Sequence, residues 1–399
     1  MSDGVAGPWR RAAAGAFLLD PNGGTRPTIF AEMSDLAERT GAVNLGQGFP
    51  DEDGPAEVLA AAREAIAQGV NQYPPGIGMP VLREAIAWHQ EHWYGIRLDP
   101  ATQVLVTAGA TEAIAAAILG LVEAGEEIVA AEPFYDEYAA LAGLVGARLV
   151  PLPLAAPGFV PDPDALAALV TDRTRLIIVN SPHNPTGSVW PREVLTRIIE
   201  LAHRHDALIL TDEVYEHLVY DGEHVPIAAL PGGFERTITV SSGGKTFAAT
   251  GWKIGWASGP AELMTALLAI KQWLTYVPAA PFQPAIATGL RLPDSTFHAM
   301  RASLAGKRDL LAAGLADAGF AVHLPAAGYF IVADAAPIGI DDADRAARRL
   351  AEEIGVVGIP VTALVAPEHR ERYGSLMRFA FCKRTEVLET AVGRLREIS

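Results

Sequence analysis

The chain of 399 residues is short of several things, and each shortage closes off a class of protein. Cysteine is nearly absent. The single Cys382 forms no internal disulfide, and a reducing cytoplasmic location is expected. Cys382 lies in the apolar run Phe379-Ala-Phe-Cys382, which reads as a buried strand residue rather than a nucleophile. No run of eighteen apolar residues occurs, so no membrane-spanning helix is expected. Positive charge is in deficit: 31 Lys and Arg stand against 47 Asp and Glu, a formal net charge of −16. That balance argues against nucleic acid or an anionic membrane as the main partner. Charged residues are only 20% of the chain while hydrophobic ones are 50%, which is too apolar for a disordered protein. The 38 glycines follow no three-residue period, so a collagen-like chain is excluded too. Lysine itself is scarce. There are five, at Lys245, Lys253, Lys271, Lys307 and Lys383, and the first two lie eight residues apart in a Gly-rich stretch.

What is present is an alternation. Residues 1–25 are rich in Gly, Ala and Pro without a period. Arg10-Arg11 precede the apolar run Ala12 to Leu19, but that run ends at Asp20-Pro21 with no small-residue cleavage site. A disordered leader or an arm is expected there. Helical spacing runs over Glu57–Ala67 and Val81–Trp93, separated by the Pro- and Gly-rich loop Asn71 to Gly78. Short apolar strands are predicted at Val104–Thr107, Ile128–Ala131, Leu176–Asn180, Ala207–Thr211, Ile238–Ser241 and Ile254–Ala257. Helices at Thr111–Val122, Tyr138–Val145 and Glu193–His205 lie between most of them. Continuously apolar strands alternating with helices mean an α/β fold, with a mostly parallel sheet covered on both faces. After residue 290 the rhythm changes. A long helix, Ser295–Ala318, leads to short strands at Ala321–His323, Tyr329–Ala333 and Met377–Phe381, and to a helix at Asp344–Ile354. This reads as a smaller α+β domain.

Ligands of open α/β sheets sit beyond the carboxyl ends of the strands. Beyond Thr107 lies Gly109-Ala110-Thr111, a tight turn into a helix whose free N–H groups suit an anion. Beyond Asn180 lies Asn184-Pro185, where the proline restrains Asn184 to an extended backbone. Beyond Thr211 lies Asp212-Glu-Val-Tyr215, a carboxylate at a buried strand end that needs a cationic partner. Beyond Ser241 lies Ser242-Gly-Gly-Lys245, and a lysine amine there can form a Schiff base with an aldehyde. Taken singly, these features also fit a helix cap, a plain turn, a structural salt bridge and a surface loop. Together they make an anion cradle, a partner for a pyridinium nitrogen, hydroxyl donors and an amine. Pyridoxal 5'-phosphate requires that set.

At these residues the chain resembles the class I/II, fold-type I pyridoxal-phosphate aminotransferases. The resemblance runs from Thr28 to the C-terminus. Its motifs come in the family's order: Asn44-Leu-Gly46-Gln-Gly-Phe-Pro50, Gln72-Tyr73-Pro, Gly109-Ala-Thr-Glu-Ala-Ile114, Asn184-Pro-Thr-Gly187, Asp212-Glu-Val-Tyr215, Ser242-x-x-Lys245, Gly251-x-Lys253-x-Gly255 and Arg378-Phe. The resemblance implies a large domain, 59–292, with a seven-stranded, mostly parallel sheet. It implies a small domain from 28–58 and 293–399, and an extension over 1–27. It implies roles as well. Lys245 holds the cofactor and shuttles a proton, and Asp212 keeps the ring nitrogen protonated. Tyr215 and Asn184 bond the ring oxygen, and Phe134 stacks on the ring. Gly109, Ala110, Thr111, Ser242 and Lys253 cradle the phosphate, with Tyr73 reaching over from a partner subunit. Arg378, helped by Asn184 and the Gly46 backbone, grips the substrate α-carboxylate. The active form is then a homodimer acting on small amino acids and 2-oxo acids.

Many aminotransferases carry arginine where Lys253 stands. Lysine there, with Leu45-Gly-Gln-Gly-Phe-Pro50 and Glu132-Pro-Phe-Tyr-Asp136, looks like the branch of kynurenine/glutamine, methionine and N-succinyldiaminopimelate aminotransferases. Residues Ile29 to Ser34 and Gly46 to Pro55 look most like the last. An alternative reaction on the same residues is β-elimination from cysteine conjugates. A regulator that senses the cofactor lacks room for a DNA-binding domain in the first 27 residues. A nicotinamide site fails because Gly76-Ile-Gly78 lacks a third glycine and a preceding strand. No metal site is expected: His89, Glu91 and His92, like His203 and His205, read as solvated on exposed helix faces.

Overall fold

The structure is a computed structural model that describes residues 5–398. Its centre is a seven-stranded sheet. In spatial order the strands are Val104–Thr107, Gly255–Ser258, Thr237–Ser242, Leu208–Asp212, Thr174–Asn180, Glu127–Glu132 and Arg148–Pro153. All are mutually parallel except Gly255–Ser258, which is antiparallel to both its neighbours. Consecutive side chains of a strand point to opposite faces. Ile128 and Ala130, Leu176 and Ile178, and Leu208 and Leu210 therefore enter one core. Val129 and Ala131, Ile177 and Val179, and Ile209 enter the other. The helices Gly109–Leu121 and Ala261–Lys271 cover the first face, and Arg192–Arg204 covers the second. Two covered faces explain why the strands read as unbroken apolar runs. Each buried Leu or Ile contributes about 1.5–3 kcal/mol.

The last third packs a separate core. The strands Ala321–His323, Phe330–Asp334, Leu376–Ala380 and Ile359–Pro360 form an antiparallel sheet. Met33, Leu36 and Leu45 join that core from the start of the chain, and Val43–Asn44 pairs in parallel with Val356–Val357. Thr28 caps the helix Ile29–Thr40 by accepting from the Ala31 amide at 3.2 Å. No described helix is long and apolar enough to cross a membrane.

Three sequence expectations change. The segment expected to be a disordered leader or an arm contains a helix, Trp9–Gly15, packed on Asp136–Val145. Two glycines allow that contact: a Cβ on Gly15 would lie 2.2 Å from the Ala139 carbonyl, and one on Gly143 would lie 2.4 Å from that of Arg11. Arg148–Pro153 is an additional strand. It carries Pro151 and Pro153 and sits at the sheet edge, where a missing N–H is tolerated. His89 is not solvated. It shares a buried stripe with Leu82, Ala85 and Ile86.

The loop that carries Asn184 adds a pH dependence. His183 is buried, and its Nδ1 lies 2.7 Å from Thr186 Oγ1. Burial pushes its pKa down from 6.5 to about 3. A depressed folded-state pKa on a histidine means the neutral form is favoured in the fold. Its contribution is therefore full above pH 6.5 and is lost as pH falls from there toward 3. The loss amounts to at most about 1.4 kcal/mol per pH unit. Urea midpoints measured from pH 7 to 4 should fall less steeply in His183→Gln than in the parent chain. Parallel curves would contradict this.

Candidate active site

The carboxyl ends of the parallel strands open into one cavity of about 210 Å³. The rim is set by strand direction. Thr107, Asn180, Asp212 and Ser242 end there, and the antiparallel strand Gly255–Ser258 begins there. Lys253 thus reaches the rim from the opposite direction, just before its strand. Nine of the thirteen residues expected at the site line the cavity: Gly109, Ala110, Thr111, Asn184, Asp212, Tyr215, Ser242, Lys245 and Lys253.

One end is an anion cradle. Ala110 and Thr111 open the helix Gly109–Leu121, whose first N–H groups have no partner within the helix. Gly109 has φ +78°, and a Cβ on it would press on Lys253 Nζ at 3.0 Å. Gly255 lies against the Gly109 backbone, where a Cβ would stand 2.4 Å from the Gly109 carbonyl carbon. The close approach of these two glycines brings the lysine ammonium to the helix N-terminus. Ser242 completes this end, its Oγ accepting from the Gly244 amide at 3.1 Å.

The other end is built around Asp212. Its carboxylate is buried, accepts from the Tyr138 hydroxyl at 2.7 Å, and has its pKa raised by burial. A buried carboxylate at a cavity wall is suited to a protonated ring nitrogen. Asn180 braces two strand ends. Its Nδ2 donates to the Asp212 carbonyl at 2.9 Å, and its Oδ1 accepts from the Asn184 amide at 2.8 Å. Lys245 Nζ donates to the Gly48 carbonyl at 3.0 Å. Burial lowers its pKa, and the cations Arg378 and Lys253 act in the same direction, against Asp212. A neutral amine is the form that attacks an aldehyde and accepts a proton.

Four expected residues stand outside the cavity lining. Arg378 borders it, donating to the Gly46 carbonyl at 2.8 Å and to Asn184 Oδ1 at 3.4 Å. Its guanidinium lies 4.0 Å from the centre of the Phe330 ring, and its Nε is buried without a partner. An unpartnered donor on a buried arginine marks the place of an incoming acceptor, such as a carboxylate. Gly46 takes part through its backbone alone. Tyr73 is 82% exposed and lies edge-on to Tyr276 at 5.6 Å. Phe134 is buried in the core, and its neighbour Tyr135 lines the cavity instead. The aromatic wall of the cavity is thus Tyr135 and not the expected Phe134.

Tyr138, Asn180 and Tyr329, whose hydroxyl donates to the Lys245 carbonyl at 2.6 Å, were not singled out from the sequence. The i, i+3 spacing of Tyr135 and Tyr138 at a helix start was the available signal for the first. Cys382 is buried beside the site. Burial pushes its thiol up to about 11, which leaves it a poor nucleophile at neutral pH.

The residues present fit pyridoxal phosphate: an anion cradle, a buried acid, an aromatic wall and a deprotonable lysine surround one cavity. Comparison with known proteins agrees. The sequence profile of the family described as aminotransferase class I and II matches residues 40–395. A protein of Mycobacterium tuberculosis named probable N-succinyldiaminopimelate aminotransferase is 52% identical over 377 residues, covering 92% of this chain and 95% of that protein. The solved N-succinyldiaminopimelate aminotransferase from M. tuberculosis superposes with a TM-score of 0.93 at 50% identity, over 99% of this chain and 100% of that one. The methionine aminotransferase of Escherichia coli is 38% identical over 93% of this chain and 96% of its own length. The chain belongs to the class I and II aminotransferases, and its cofactor is pyridoxal phosphate.

Proposed function

We propose that this aminotransferase takes N-succinyldiaminopimelate as its amino-group partner, exchanging the amino group with a 2-oxo acid in two half-reactions. The similarity to the M. tuberculosis protein of that name, along nearly the whole of both chains, carries the reading. When bound, the cofactor supplies an electron-withdrawing ring that stabilises the negative charge left when a substrate loses its α-proton. The chain's own residues do the rest. Arg378 binds and orients the α-carboxylate in bidentate fashion, with Asn184 and the Gly46 carbonyl fixing the guanidinium. Lys245 takes the α-proton on its neutral amine and returns it one position along. Asp212, held by Tyr138, keeps a positive charge on the ring nitrogen. Tyr215 and Asn184 donate to the ring oxygen, and Tyr135 covers a ring face. Ala110, Thr111, Ser242 and Lys253 hold the phosphate.

Cofactor absorbance read in single half-reactions tests the substrate. The panel is N-succinyldiaminopimelate, methionine, kynurenine, glutamine and glutamate. The first should react with the highest second-order rate constant. A higher constant for methionine or kynurenine would overturn the assignment.

The same reading includes a homodimer. Tyr73, Trp273 and Tyr276 are 82%, 81% and 52% exposed, an aromatic group that a second copy is suited to cover. Sedimentation should give a dimer, and Trp273→Glu should shift it toward monomer with loss of activity. A fully active monomer would contradict this.

A further inference from the structure

A second cluster of reactive side chains lies apart from the cofactor cavity. His89 comes from the helix Pro80–Tyr94, and Glu216 and His217 from the segment after the strand Leu208–Asp212. The three are 0%, 4% and 9% exposed. One ligand atom from each can be chosen so that all lie within 4.8 Å of one another, and the two imidazole Nε2 atoms are 2.7 Å apart. Glu216 Oε1 accepts from Ser241 Oγ at 2.6 Å, while its Oε2 is buried without a well-formed hydrogen bond, the Tyr94 side chain facing the carboxyl. His89 Nδ1 is likewise buried and unpartnered. An unsatisfied buried carboxylate oxygen is costly and calls for an explanation. A cavity of about 350 Å³ adjoins it, lined by Glu216, His217, His224 and Arg301 among others.

We propose that His89 Nε2, His217 Nε2 and Glu216 Oε2 form a binding site for a divalent transition-metal ion of the zinc type. Two imidazoles and one carboxylate are a zinc ligand set. They leave a fourth position for water from the adjoining cavity. Magnesium and calcium, which take oxygen ligands, do not suit two imidazole nitrogens. Imidazole ligates a metal in its neutral form. Two neutral rings share one N–H between the facing nitrogens. Metal entry therefore moves that proton to the same ring's Nδ1 and frees the second lone pair. Tetrahedral zinc places two ligand nitrogens about 3.3 Å apart, so the rings separate by roughly 0.6 Å. His217 borders the cavity and has room for that shift. Ser241 fixes the carboxylate from outside, as outer partners of metal ligands do. The ion would tie the helix Pro80–Tyr94 to the segment that continues from Asp212 and Tyr215. None of its three ligands lines the cofactor cavity.

The test uses the cofactor-loaded protein after dialysis against a chelator. Co2+ and Zn2+ are then titrated, with stoichiometry read by elemental analysis and geometry by the Co2+ visible spectrum. The expected result is one ion per chain, with the intense bands of low-coordinate Co2+. Ser241→Ala should bind about 10–100-fold more weakly. His217→Gln should abolish the bands, and His203→Ala, on another helix, should leave them unchanged. Absence of the bands in the parent protein overturns the proposal, as does a weak octahedral spectrum. Should His217→Gln fail to fold, parent and Ser241→Ala decide between them, and equal affinity overturns it.

Discussion

Lys245→Ala should lower kcat by at least about 10⁴-fold and remove the visible absorbance of the lysine-bound cofactor. Proton transfer by a positioned group contributes about 10²–10⁴-fold alone, and the substitution also removes the covalent tether. Lys245→Arg separates two explanations. Arginine keeps the charge and most of the volume, but it neither attacks an aldehyde nor gives up its proton near neutrality. If Lys245 acts as nucleophile and base, arginine is as damaging as alanine. If it merely supplies charge near Gly48, arginine restores most of the rate. The structure favours the first outcome. Burial, Arg378 and Lys253 all push the amine toward its neutral form. Stopped-flow half-reactions on both variants, with cofactor content checked by absorbance, give the answer.

Arg378→Gln should lower kcat/KM for amino acids by about 10²–10⁴-fold. Removing one member of a buried charge pair costs about 3–5 kcal/mol, and each 1.36 kcal/mol is tenfold in rate. The guanidinium is held from several sides by Gly46, Asn184 and the Phe330 face, so a lysine at this position would not reproduce its fork. A control gives the prediction its edge. A simple amine without an α-carboxylate already lacks the interaction, so its rate should change little. Equal losses for amino acid and simple amine would mean that Arg378 supports the fold rather than the substrate.

Much of this site was legible because strand direction organises it. Once the apolar runs are read as parallel strands, Gly109 to Thr111, Asn184, Asp212 and Lys245 must all emerge on one rim, and they do. What was not legible depends on side-chain direction and close packing. Phe134 and Tyr135 are adjacent aromatics, and only the path of the backbone sends one to the core and the other to the cavity. The helix Trp9–Gly15 is hidden in an Ala- and Gly-rich stretch, because its partner is a glycine-lined groove more than a hundred residues away. The edge strand Arg148–Pro153 carries two prolines, which the pattern for central strands rejects. His89 differs: its spacing from Leu82, Ala85 and Ile86 places it on the buried face in the sequence as in the structure.

The most direct test of amino-group transfer at Lys245 follows the cofactor spectrum of the parent enzyme through a full cycle. N-succinyldiaminopimelate, added alone, should convert the aldehyde form to the amine form, with one equivalent of 2-oxo acid released per site. Adding 2-oxoglutarate should then restore the starting spectrum, with glutamate formed. A cofactor that stays in the aldehyde form after the amino acid is added, with no 2-oxo acid released, would contradict the account.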